Sequence, residues 1–324
     1  MPYTQVANLD FEDIKVALKD YLRAQSEFTD YDFEGSALST LIDTLAYNTY
    51  YTAFNTNMVV NELFIDSATL RDNVVAIAKQ LGYRPKSATA PTAYVSFTVT
   101  YTNPTTDTEL ILKKGTGFIA SYDNNVYQYV VLDDVKAQVA NNVATFTDVA
   151  VKEGTQLTNT FTVNTSLKSQ RFILDNQNID TNTIRVKVYP TGGTFSEPYL
   201  VADNILGVDG TSKVFFLDEI EDERYEILMG DGVLGAKLEN NARIEVSYLT
   251  TAGPESNGVR TFVFSGVLEN PSGVSPSAFT TSITSTTASA GGEEIESTQK
   301  IKYTAPKAYG TQDRAVTAQD YEAI

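Results

Sequence analysis

Up to Pro85, apolar positions recur every three or four residues, the spacing of one helix face. Phe11, Ile14, Leu18, Tyr21 and Leu22 form a first stripe. Asp10 is placed to cap that helix with Asp13 at its third position, and Leu9 to staple onto Ile14. A second helix is expected from near Ser36, with Leu38, Leu41, Ile42 and Leu45 on its buried side, running on through Phe54. A third is expected over Ser67–Leu81, carrying Leu70, Val74, Ile77 and Leu81. Gly82 sits where a left-handed C-terminal cap belongs, and Pro85 prevents continuation.

After Ala88-Thr89-Ala90-Pro91 the period changes to two. Val95, Phe97, Val99 and Tyr101 alternate with Ser96, Thr98 and Thr100, the mark of a half-buried strand. Short strand-like runs follow at 110–112, 126–131, 143–146, 161–163, 184–188, 214–217, 225–229 and 244–248, punctuated by Gly, Asn, Asp and Thr. Residues 251–292 are rich in Ser, Thr, Gly and Pro and read as a connector. Val263, Phe264, Val267 and Leu268 argue for strand at its start. Helical character returns from Glu293, with Ser297 or Thr317 as caps. The expected fold is α+β and multidomain: an N-terminal helical bundle segment, mostly antiparallel β domains, then helix again. The expected divisions are 1–88 helical, 89–165 β, 166–255 β with a Gly-Asp-Gly turn, 256–292 connector, and 293–324 the start of a further domain.

Tyr47, Tyr50, Tyr51 and Phe54 are separated by three or four residues and fall together on a helix otherwise rich in Asn and Thr. They either pack on the protein's own helices or form a partner interface, for which tyrosine supplies large contact area with a polar tip. The sharpest local motif is Met229-Gly230-Asp231-Gly232-Val233-Leu234-Gly235. Gly230, Gly232 and Gly235 match a dinucleotide-type spacing, but they lie between strand runs with no alternating helices. A structural turn is expected. The acidic run 218–223 lacks the alternate ligands and central Gly of a calcium loop and reads as a charged hairpin tip.

Composition narrows the chemistry. There are no His, Cys or Trp residues, so His-based triads, His or thiolate metal sites and disulfides are excluded. Catalysis would have to rest on carboxylates, Lys or Tyr, and no constellation of these stands out. No cofactor or metal is expected, and the chain is read as a non-enzyme. With 24 Lys plus Arg against 41 Asp plus Glu, the net charge is −17 and no basic cluster appears, which disfavours nucleic acid. No apolar run approaches the ~20 residues that span a bilayer, and the N-terminus lacks the pattern of a secretory signal. Neither membrane insertion nor nucleic-acid binding is expected.

Four pieces in order carry a family resemblance: residues 178–188; residues 225–235 leading into 244–253 and Asn257-Gly258; Gly291-Gly292-Glu293-Glu294 with Glu296-Ser297; and Ala305-Pro306, Tyr309-Gly310 and 314–322. Together with the helical opening, the chain resembles the baseplate wedge subunit of T-even-type contractile-tailed phages, within the wider baseplate J-like family. Met229 departs from the aromatic residue expected there. The resemblance implies a structural subunit of the virion, made in the host cytoplasm. A second copy of the chain and another baseplate wedge protein would meet through the N-terminal helices. Neighbouring wedges would close a sixfold ring around the hub, and ring rearrangement would trigger sheath contraction. Residues 320–324 open a further domain in the family, so the chain is expected to be an N-terminal portion. Two other classes remain open: a carbohydrate-binding β module of a tail fibre or spike, and a carboxylate-based hydrolase.

Overall fold

The computed structural model describes residues 10–28, 32–33, 37–167, 169–202 and 207–311. It divides into a helical unit (Met1–Arg84 with Ser297–Ile324) and a β unit (Pro85–Glu296). The staple residue Leu9, Ser36, the proposed cap Thr317 and the 314–322 motif lie outside the described residues.

In the helical unit, α1 spans Phe11–Arg23, and the Asp10 carboxylate accepts the N–H groups of Glu12 and Asp13 at 2.9 and 3.1 Å. Helix α2 runs Ala37–Glu62 and packs on α1, where Lys15 pairs with Asp43 at 2.7 Å. Helix α3 spans Arg71–Gln80, four residues shorter at its start than the periodicity predicts. Its N-cap position is held by Leu70, which supplies no capping side chain. Glu62, the last residue of α2, does that work instead. Its carboxylate accepts the N–H groups of Thr69 and Leu70 at 2.8 and 3.2 Å and the Asn73 amide at 2.8 Å. Burial pushes the Glu62 carboxyl up, but these bonds outweigh it and hold it down at about 2. Gly82, with φ +80°, ends α3 as a Schellman motif, its own N–H reaching Lys79 and that of Tyr83 reaching Ala78. Helix α4, Thr298–Thr311, is capped by Ser297 and buries Ile301 and Ala305 against Val74, Val75 and Ala78. The segment expected to open a further domain thus contributes a helix to this unit.

The β unit holds sixteen strands among the described residues. In chain order these are β1 Thr92–Tyr101, β2 Glu109–Leu112, β3 Gly117–Tyr122, β4 Asn125–Val130, β5 Val135–Ala140, β6 Val143–Glu153, β7 Thr155–Thr162 and β8 Phe172–Leu174. They continue with β9 Ile179–Tyr189, β10 Glu197–Val201, β11 Val214–Glu219, β12 Tyr225–Met229, β13 Arg243–Thr250, β14 Val263–Phe264, β15 Leu268–Glu269 and β16 Phe279–Thr286. Nine strands form one sheet, ordered β14-β3-β4-β6-β5-β2-β15, with β1 between β6 and β16. Its core stacks Phe97 on Phe146 at 4.6 Å and sets Phe118 edge-on at 5.3 Å. Seven strands form the other, β7-β13-β9-β10-β11-β12-β8, in which only β10 and β11 run parallel. The architecture is α+β with mostly antiparallel sheets.

Two expected divisions shift. The crossing between sheets falls at Gly154, not after residue 165, so β7 pairs with β13. Gly154 has φ +131°, and a Cβ there would meet the Thr250 carbonyl oxygen at 2.4 Å, so only glycine fits the crossing. The Ser/Thr-rich connector folds on the first sheet, as β14 and β15 where Val263 to Leu268 argue for strand, and beyond them as β16 in place of linker. Hydroxyl-bearing β-branched residues suit a half-exposed strand as well as they suit a linker.

Asp180 ties the two sheets together. Its carboxylate is fully buried and accepts from Lys152 on β6 at 2.9 Å, from the Ala90 N–H at 3.1 Å and from the Asn182 N–H at 3.1 Å. Opposite Ser247–Leu249 the β9 ladder bulges, and the Thr183 hydroxyl accepts the Leu249 N–H at 3.0 Å in place of a ladder bond.

Candidate assembly interface

Helix α2 carries no charged residue between Asp43 and Glu62. Its buried edge is formed by Ile42, Ala46, Ala53, Asn57 and Asn61, spaced three to four apart with Tyr50 falling between them. Asn61 is satisfied within the helix, donating to the Asn57 carbonyl at 2.7 Å. What remains exposed is unusually apolar for a solvent face.

One exposed stripe is Tyr47, Tyr51, Phe54 and Met58, at spacings i, i+4, i+7 and i+11. Tyr47 is 56% exposed, Tyr51 47% and Phe54 40%. The Tyr47 and Tyr51 rings lie 4.8 Å apart and tilted, with Tyr50 edge-on to Tyr51 at 6.1 Å. The adjacent Tyr51 hydroxyl pushes that of Tyr47 above the ordinary phenol range. The four aromatics therefore do not share one environment: Tyr50 is half-buried beside the packed edge, while the other three face out. The spacing alone put them on one face. A three-residue offset turns Tyr50 by about 60° toward α2's buried edge.

The pattern did not reveal a second exposed stripe, formed by Leu41, Leu45 and Val59 and continued by Leu63 just past the helix end. Leu41 and Leu45, expected in the core, are 54% and 48% exposed. Between them the threonine hydroxyls turn inward: Thr49, Thr52 and Thr56 donate to the carbonyls of Leu45, Asn48 and Thr52 at 2.8–2.9 Å. A threonine bonded back to its own helix shows solvent its methyl group. The uncharged run was the available signal.

In the β unit, Gly230, Asp231, Gly232 and Gly235 join β12 to a loop, with no helix following. Asp231 accepts the N–H groups of Val233 and Leu234 at 2.8 and 2.9 Å, and those bonds lower its carboxyl. The Gly232 N–H reaches the Gly235 carbonyl at 3.0 Å, and a Cβ on Gly230 would meet the Gly235 carbonyl carbon at 2.2 Å. The neighbouring loop docks here, Asp209 accepting the Gly235 N–H through its backbone at 2.9 Å. The Asp209 side chain takes the Thr211 N–H and the hydroxyls of Thr211 and Ser212, which hold it at about 2. These carboxylate bonds go to backbone N–H groups and hydroxyls of the two loops themselves. Residues 218–223 cap the β11–β12 hairpin. No described group of three or more acidic residues is placed to hold a metal ion, and no described helix is long and apolar enough to cross a membrane.

Residues 10–83, which span α1 to α3, match the family described as baseplate wedge protein gp6-like, helical domain. Over 332 aligned residues the chain is 29% identical to the baseplate wedge protein gp6 of Enterobacteria phage T4. That alignment takes in 97% of this chain and 49% of the T4 protein, so the chain spans about half the length of its relative. The likenesses support a phage baseplate wedge protein with a structural role. The family match lies within the helical unit, and the alignment with the T4 protein takes in the β unit as well.

Proposed function

We propose that the chain is a non-enzymatic structural subunit of a phage tail baseplate wedge, joined to its neighbours through the helical unit. The observation behind this reading is α2: 26 residues long, uncharged from Thr44 to Asn61, with two exposed apolar stripes. Apolar area left in water on this scale is covered by protein in an assembly, and aromatic anchors give such contacts most of their energy. The partners on this reading are a second copy of the chain and another baseplate wedge protein, meeting around α1 and α2. Wedges so formed close into a sixfold ring around the hub, and rearrangement of the ring passes to sheath contraction. Transmission of that kind needs contacts that differ between two ring states. The same reading makes the chain a member of the baseplate J-like family. The Gly230–Gly235 turn holds the β unit's loops and takes no ligand.

The test replaces Tyr51 and Phe54 by Ser and follows association with the second wedge protein by sedimentation velocity. Buried aromatic anchors cost about 2 kcal/mol each on truncation, so losing both is expected to weaken binding by about 1,000-fold. Unchanged association with helicity intact would remove α2 as the interface.

A further inference from the structure

We infer that β16 is an open sheet edge that pairs antiparallel with β16 of a second copy of this chain. The ladder to β1 fixes which backbone groups point outward. The Thr102 N–H bonds to the Ala278 carbonyl, and the register sets Thr280 against Thr100 and Ser282 against Thr98. Antiparallel ladders alternate, so the N–H and C=O groups of Phe279, Thr281 and Ile283 face away from β1. None of these groups has a hydrogen-bond partner among the described residues.

Edges in soluble proteins are usually guarded by Lys, Pro or a short length. Strand β16 contains no charged residue, no Pro and no Gly. Its bulge, at Thr284, lies at the far end and leaves Phe279–Ile283 in regular register. Phe279 and Ile283 are half-buried against the core of the first sheet, so that core stops uncovered at this edge.

The order of residues selects the occupant. Centred on Thr281, the segment reads apolar, hydroxyl, Thr, hydroxyl, apolar. A two-fold axis through Thr281 would place Phe279 opposite Ile283 of the other copy, Thr280 opposite Ser282, and Thr281 opposite itself. All three outward positions would then coincide across the axis, giving about six backbone hydrogen bonds. Aromatic against β-branched and hydroxyl against hydroxyl are favourable cross-strand pairs. The net charge of −17 opposes approach of two copies while the edge itself carries none, so salt should strengthen the pairing.

The absence of native cysteine makes the test direct. In the pair, the two Thr281 Cα atoms would stand about 5.5 Å apart, within disulfide reach. Thr281→Cys, oxidised with copper–phenanthroline, is expected to give a covalent dimer on a non-reducing gel, and more of it at about 0.5 M salt than at 0.05 M. Adding Phe279→Lys should abolish the cross-link. Adding Tyr51→Ser and Phe54→Ser in α2 should leave it, which separates this edge from the helical interface. Thr281→Pro removes an outward N–H without touching the β1 ladder and is expected to weaken self-association with the β signal kept. A Thr281→Cys chain that folds but stays monomeric overturns the proposal, including the case in which a strand of a different protein takes the edge. So does cross-linking of Thr280→Cys to the same extent.

Discussion

Replacing Asp180 by Ala should remove a strut between the two sheets. The lost carboxylate takes with it the Lys152 ion pair at 2.9 Å and the bonds it accepts from two backbone N–H groups at 3.1 Å. Breaking a buried pair costs about 3–5 kcal/mol, mostly because the remaining charge is stranded. Lys152 retains 23% side-chain exposure, so its ammonium can turn to water and the cost falls at the lower end, about 3 kcal/mol. For a unit of this size about 2–4 °C accompanies each kcal/mol, so thermal unfolding of the β signal in circular dichroism should move down by about 6–12 °C. The double substitution with Lys152→Met leaves no stranded cation. It should then recover about half of the loss, the rest being the Ala90 and Asn182 N–H groups left without acceptors. A drop under about 2 °C for Asp180→Ala, or strictly additive effects in the double variant, would refute the reasoning.

Two carboxyls give opposite pH signatures. Glu62 is held at about 2, below its ordinary 4.5, so its support for α3 is complete above 4.5 and is lost as pH falls toward 2. Acid titration of helicity should show that loss, and Glu62→Gln should flatten it at a cost near 1 kcal/mol at neutral pH. Glu153 is buried, and burial raises its carboxyl, while the Thr251 hydroxyl and the Ala252 N–H donate to it at 2.6 and 3.0 Å. Its ionised form therefore opposes folding: the penalty is absent below the ordinary value and appears as pH rises through the raised one. Glu153→Gln should raise thermal stability at pH 8 and leave it unchanged at pH 4. Equal effects at both would show that the charge is not what matters.

Local physics was legible from residues alone. Asp10 and Gly82 mark helix ends through bonds to neighbours two to five residues away, and the alternation at 95–101 fixes β1 and its buried face. The rest depends on distant partners. β16 looks like linker because nothing in its Ser/Thr run announces that β1, far earlier in the chain, is waiting to pair with it. Short strands such as β3, β5 and β10 offer too few alternations to register. On α2, apolar residues occur all around the helix, so periodicity could not say which side α1 covers. For that reason the spacing puts Leu41 and Leu45 inward and leaves Tyr50 open between packing and interface. Asp180, the tie between sheets, sits in an unremarkable Ile-Asp-Thr run whose partners lie at 90 and 152.

The central claim is that the chain is a baseplate wedge subunit held by its helical unit. Electron microscopy of the chain assembled with its neighbouring wedge proteins tests it most directly. The account predicts a wedge or ring in which both exposed stripes of α2, Tyr47 to Met58 and Leu41 to Val59, are covered by partner chains. An assembly that forms without this chain, or one that includes it with α2 still open to solvent, would contradict it.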